Sequence, residues 1–240
     1  MKFSPVIRAV RIAQGSNFLG NRLDLLKFCG IANPIVGFEH YEICGKTFAP
    51  HPHAGFSAVS YVLEDSLGAL RSRDSLGNDL VVKPGELIWT QSGSGIIHDE
   101  APETTGSRVH GVQFFVNVSG KHKHLEPEVF HLSQNEISNS HDQIENRVRI
   151  LAGRFGAHAA AINLVESFDF FDVWLKLQMR FLLAAKRAVL FYVLAGAIEV
   201  VAEDGSRIVQ EHEAVALYAE EDSDLAICCG LILPDTSMGG

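Results

Sequence analysis

Two short runs concentrate side chains that can bind a cation: His51-Pro52-His53 and His98-Asp99-Glu100. Alternate residues of a strand share a face, so each triplet presents two ligand-type groups in one direction. The stretch between His53 and His98 is read as three short strands and their turns, enough chain to bring the triplets together across a barrel. Three imidazoles and one carboxylate are then expected to converge inside. Such a nitrogen and oxygen set without thiolate suits Fe(II), Mn, Ni, Co or Cu, and leaves one or two positions open on a six-coordinate ion for water, O₂ or substrate. Pro52 donates no N–H and has a fixed φ, which predicts an edge or barrel-mouth strand that holds the imidazoles stiffly. In the plainer alternative His51 and His53 are exposed rim residues and His98 is a hydrogen-bonded core histidine. Either triplet alone favours that alternative, and the two together favour the metal.

The elements that must position these triplets are short. Apolar residues come in alternation or brief runs divided by Gly, Asn, Asp and Pro, the pattern of an all-β barrel or sandwich with little helix. β-branched residues dominate Ser57–Leu63 and Asp79–Lys83, and Asp74-Ser-Leu-Gly-Asn78 between them supplies turn chemistry, which predicts a hairpin turning near Gly77. Pro84-Gly85 turns into Glu86–Thr90, and Gly93-Ser-Gly95 turns into Ile96–His98. Tyr61-Val-Leu63 opens this series, and Tyr192-Val-Leu194 opens a similar one that runs through Glu203-Asp-Gly205 and Arg207-Ile-Val209 to Ala214–Leu217. Two similar β barrels are expected, residues 1–132 and 133–240, with the polar stretch Ser133 to Arg147 as their connection. Counting back from Tyr192 as from Tyr61 lands on Leu182 and Ala184, so the second barrel is expected to be structural and free of metal.

The 240 residues are 47% hydrophobic and 20% charged, a globular composition of two-domain size. With 20 Lys and Arg against 29 Asp and Glu the net charge is −9, which disfavours direct nucleic-acid binding and anionic lipid. The longest apolar run, Ala188 to Ile198, falls short of the roughly 20 residues that span a bilayer, and no signal-peptide pattern opens the sequence. A cytoplasmic protein is expected. Cys29, Cys44, Cys228 and Cys229 form no CxxC and read as reduced, mostly buried thiols. His122 and His124 fall in a lysine-flanked, solvated loop. His110 reads as a surface or hydrogen-bonded histidine, with a supporting place beside the metal as the alternative. Phe168–Trp174 reads as an edge strand of the second barrel.

The residues around the triplets resemble the pirin family, a branch of the cupin superfamily. The likeness rests on His-Pro-His-x-Gly-Phe at His51–Phe56, Tyr-Val-Leu-Glu at Tyr61–Glu64, Arg-Asp-Ser-Leu-Gly-Asn at Arg73–Asn78, Pro-Gly-Glu at Pro84–Glu86, Gly-x-Gly-Ile-Ile-His-x-Glu at Gly93–Glu100, and Gln113 ahead of an aromatic pair. It is specific over about residues 48–130 and looser beyond, where Val148–Gly156 and the second Tyr-Val-Leu carry it. The resemblance implies a bicupin: two tandem cupin-type β-barrels, all-β with few short helices. It also implies one mononuclear metal in the first barrel, usually iron, as Fe(II), with Mn, Ni, Co, Cu or Zn as alternatives, bound by His51, His53, His98 and Glu100. Ala54 stands where the family usually has a basic residue and Ser57 where it usually has an acidic one, so the pocket rim is expected to be less polar. Leu231 to Gly240 lacks the family's usual closing segment, which is expected to leave the second barrel's mouth less covered.

Bacterial pirin-like proteins are associated with O₂-dependent cleavage of flavonols such as quercetin, and animal pirins with iron-dependent transcription regulation. The resemblance therefore implies a dioxygenase of the quercetin 2,3-dioxygenase type acting on a small planar aromatic substrate. The alternative is an iron-dependent regulatory protein acting through a protein partner. For flavonol cleavage the metal takes the 3-hydroxyl oxygen while Glu100, ligand and catalytic base together, accepts its proton before O₂ attacks the ring. A fixed anionic ligand without a proton role is the alternative for Glu100. Phe56, Trp89, Phe114 and Phe115 read either as the apolar wall for that substrate or as plain core.

Overall fold

The strand Phe56–Val62 is buried at every position after the first, because both of its faces are covered. Val59 and Tyr61 pack with Leu151 and Ala152 of the second half, whereas Val62 packs with Phe18, Leu70 and Val109 of the first. It is a central strand of the seven-stranded antiparallel sheet that organises a computed structural model, which describes residues 1–229. The stretch Leu231 to Gly240, expected to leave a barrel mouth less covered, lies outside the described residues. The described chain is all-β, with two short 3-10 turns at Leu25–Phe28 and Gly120–His122.

In the large sheet, Leu87–Gln91 and Val109–Asn117 flank Phe56–Val62, and Ile35–Ile43 pairs with Val109–Asn117 on the far side. A second sheet runs in the order His51–His53, Ile96–Pro102, Leu70–Asp74, Asp79–Val82. The two enclose a core of Phe18, Tyr41, Ile43, Val62, Leu70, Val82, Ile88 and Val109. The strand His51–His53 sits at the sheet edge, where a proline costs no ladder bond. One expected pairing is corrected. Asp79–Val82 does turn through Asp74–Asn78, but its hairpin partner is Leu70–Asp74; Phe56–Val62 joins the other sheet. Four strands, not three, therefore separate His53 from His98. The sequence signal was missed because Arg71 and Arg73 alternate with buried residues and make Leu70–Asp74 look like loop.

The second half repeats this topology. The order Gln178–Leu183, Ser223–Cys229, Ala197–Ala202, Gly205–Gln210 matches the sheet that carries the histidines. Ala188–Tyr192 pairs with Glu213–Tyr218 as Phe56–Val62 pairs with Leu87–Gln91. Met179, Leu225 and Ile227 of the matching strands belong to its apolar core. The stretch Ser133 to Arg147 is not plain connection: Ser138–His141 pairs with Arg147–Ala152. Phe170–Trp174 is the edge strand expected of the aromatic run. The first residues of the chain also belong in space to this half, since Lys2–Phe3 and Ile7–Arg8 pair with Glu213–Tyr218. The thiols correct the expectation of burial: Cys29 and Cys229 are exposed and Cys44 and Cys228 half-buried, all four unpaired.

Candidate metal centre

Antiparallel pairing of His51–His53 with Ile96–Pro102 sets His98 directly across from His51, so alternation puts His51, His53 and His98 on one face. One ring nitrogen from each can be chosen so that all three lie within 4.8 Å of one another. The Nε2 atoms of His53 and His98 are 2.9 Å apart. His51 Nδ1 donates to the Ala49 carbonyl at 2.9 Å, which leaves its Nε2 as a lone-pair donor. Burial, and after it the neighbouring imidazoles, lower His53 and His98 to about 4, so both are neutral at physiological pH, the form that binds a metal.

Glu100 stands beside this trio on the same strand face as His98. Its Oε2 accepts from Ser60 Oγ at 2.8 Å and from Gln113 Nε2 at 3.0 Å. Its Oε1 lies 4.0 Å from His98 Nδ1. Burial raises its carboxyl to about 7, against the pull of the Ser60 hydrogen bond. Asp99 alternates to the other side, where Lys46 and Arg73 hold it at 3.2 and 3.1 Å. Sequence reading did not assign Ser60 or Gln113 to the site. Strand parity could have found them, because Ser60 lies two residues from Val62 and Gln113 four from Val109, both inward-facing.

The four expected aromatics separate into two places. Phe56 and Phe115 meet His53 with ring centroids 5.1 and 5.5 Å away. Trp89 and Phe114 belong instead to the core between the halves. Phe115 is seated by Gly37, where an added Cβ would stand 2.5 Å from its ring. His110 is hydrogen-bonded, as its ordinary reading held, and lies on the opposite face of the sheet from Gln113, with Asp65 and His40 as partners. His122 bonds Glu166 at 2.7 Å.

A cation fits these residues. His98 is only 2% exposed, yet its Nδ1 has no hydrogen-bond partner, an orphaned buried atom of a kind native interiors rarely keep. The donor set of imidazoles with a carboxylate alongside suits a first-row transition metal.

Residues 22–116 match the Pirin family model. A Pseudomonas aeruginosa protein, provisionally named quercetin 2,3-dioxygenase, is 33% identical over 187 residues, covering 75% of this chain and 64% of its own length. Over residues 22–116 the chain is pirin-like. Human pirin is 39% identical over 90 residues, 38% of this chain and 30% of that protein. The chain thus spans less than two thirds of either relative. Among solved structures, a quercetin 2,3-dioxygenase from Acinetobacter baumannii superposes with TM-score 0.73 at 20% identity, over 95% of this chain and 86% of that one. A bacterial pirin from Escherichia coli, solved with nickel(II), superposes with TM-score 0.64 at 18% identity, over 94% and 97%. The fold is therefore that of two tandem cupin-type units.

Proposed function

We propose that the chain is a metal-dependent dioxygenase of the flavonol, or quercetin 2,3-dioxygenase, type. The observation that carries this reading is the aromatic pair Phe56 and Phe115 set against one imidazole of a buried three-histidine cluster. His51, His53 and His98 would hold the metal, Fe(II) by the family's habit, and Glu100 would join them. When bound, that ion supplies Lewis acidity toward an acidic hydroxyl and a place for O₂. Glu100 takes the hydroxyl proton on Oε1, the oxygen that Ser60 and Gln113 leave free. Phe56 and Phe115 offer an apolar, aromatic surface that orients a planar ring system and keeps water from it. The names carried by the Pseudomonas relative and the Acinetobacter protein support the same substrate class. No helix among the described residues is long and apolar enough to cross a membrane; the proposal places the protein in the cytoplasm, in keeping with its four unpaired thiols.

The test is anaerobic reconstitution with Fe(II), Mn, Ni, Co or Cu, addition of quercetin, then air. The flavonol absorption band should bleach with release of CO. Bound metal without turnover on any of the five would overturn the dioxygenase reading in favour of a metal-dependent regulatory protein acting through a protein partner.

A further inference from the structure

The strand His51–His53 is lightly held for one that carries two of the three histidines. It is three residues long, it pairs with Ile96–Pro102 on one side only, and Pro52 has no N–H to give. Beyond His53 the chain needs other anchors before it reaches Phe56, whose ring meets His53. Gly55 provides them with both of its backbone groups. Its N–H donates to the Gly93 carbonyl at 2.9 Å, and its carbonyl accepts from Lys123 Nζ at 2.7 Å. The same ammonium donates to Asn117 Oδ1 at 2.6 Å, on the residue paired with Phe56.

Lys123 belongs to the loop that follows Val109–Asn117, and this loop grips the other ligand strand as well. The Leu125 carbonyl accepts from the Ser94 N–H at 2.7 Å, in the turn that leads into Ile96–Pro102. The approach is so close that a Cβ on Gly93 would collide with that carbonyl oxygen. One loop is thus fastened to the turns beside both histidine-bearing strands. Its near end is fastened to the second half: Glu166 Oε1 accepts from the Ser119 N–H at 2.8 Å and from His122 Nδ1 at 2.7 Å. The 3-10 turn Gly120–His122 joins these anchors to Lys123.

We propose that Lys123 is a positioning residue for the metal centre, and that Glu166 of the second half sets the loop that carries it. The proposal rests on the reading of His51, His53 and His98 as metal ligands. Both oxygens that Lys123 grips belong to neutral groups, so these bonds fix where Gly55 sits and do not serve to neutralise a carboxylate. Without them the Gly55 carbonyl turns to water and His51–His53 keeps only its one-sided ladder, so its imidazoles are no longer set in advance for an ion. The second half then has a task at the metal centre, which is to hold the loop.

Co(II) titrated into the full-length protein and followed by visible absorption, whose shape reports the arrangement of the ligands, tests this. Lys123→Met should bind Co(II) about tenfold more weakly, as when a group supporting a ligand is removed, with a changed spectrum and an unchanged circular dichroism. Lys123→Arg, which still carries donors for both oxygens, should restore most of the affinity. Glu166→Ala should weaken binding in the same direction, and adding it to Lys123→Met should cost little more, because both act through one loop. Parent affinity and spectrum in either single variant would overturn the proposal, and so would a double variant in which the two losses simply add. A parent chain that binds no Co(II) would overturn the metal centre itself, and with it the site that Lys123 positions.

Discussion

Glu100 and the imidazoles differ in what they surrender to a metal. At pH 6 the His53 and His98 rings, lowered to about 4, are already neutral, whereas the Glu100 carboxyl, raised to about 7, still holds its proton. If Glu100 is a ligand, metal uptake at pH 6 must expel that proton, about one more than Glu100→Gln releases. Above pH 8 the carboxyl is ionised beforehand and the difference vanishes. Calorimetry in buffers of different ionisation enthalpy measures both; equal release by the two proteins at pH 6 would remove Glu100 from the coordination sphere. Gly37→Ala drives a methyl group into the Phe115 ring, which lies within 2.5 Å of the new atom. The expected cost is ~1–3 kcal/mol of stability, with metal content kept and KM for an aromatic substrate raised. At this scale the sequence was legible where chemistry and spacing coincide: His51, His53 and His98 announce themselves. His40 did not, because its partners are His110 and Tyr192, remote in the chain, and nothing in Phe38-Glu-His-Tyr41 marks it.

Strands were easier to find than their partners. Composition marks β-branched runs, but pairing depends on which face must be buried, and Phe56–Val62 needs cover on both sides that an adjacent hairpin cannot give. Its outward Tyr61 donates to Asp172 Oδ2 at 2.7 Å in the second half. Nearby Arg149, itself buried, reaches Glu64 and donates to the Gly85 carbonyl at 2.6 Å. Tyr61→Phe leaves the Asp172 carboxylate without this donor and should cost about 1–3 kcal/mol, or a thermal midpoint lower by about 2–4 °C for each kcal/mol at this size. Metal content should stay unchanged, since Ser60 and its bond to Glu100 lie on the opposite strand face; lost metal would show that the two faces are coupled. Burial raises Asp172 from 3.8 to about 6, so this group favours the fold at low pH and its contribution fades as pH climbs through that window. A stability profile that is flat there would contradict the burial argument.

The two halves are fastened at several points. Residues 1–8 run in the second half's sheet, and the core between the halves joins Val59, Trp89 and Phe114 to Leu151, Phe168 and Phe170. We propose that the units nevertheless divide at residues 132 and 133. A protease site inserted after Asn135, on the exposed stretch, should cut the backbone and yet leave one particle on gel filtration; separated fragments would show that covalent continuity holds them. The duplication was visible in the repeated Tyr-Val-Leu, whereas the exchange of the first strands was not, because Lys2–Phe3 and Ile7–Arg8 are too short to carry a period. One sheet thus serves two masters. Along Val109–Asn117, odd positions such as Gln113 and Phe115 look toward Glu100 and the histidine cluster, while even ones such as Val112 and Phe114 look toward the seam. Libraries that randomise a single parity can reshape the lining of the histidine cluster and leave the seam alone, or the reverse, on the same nine residues.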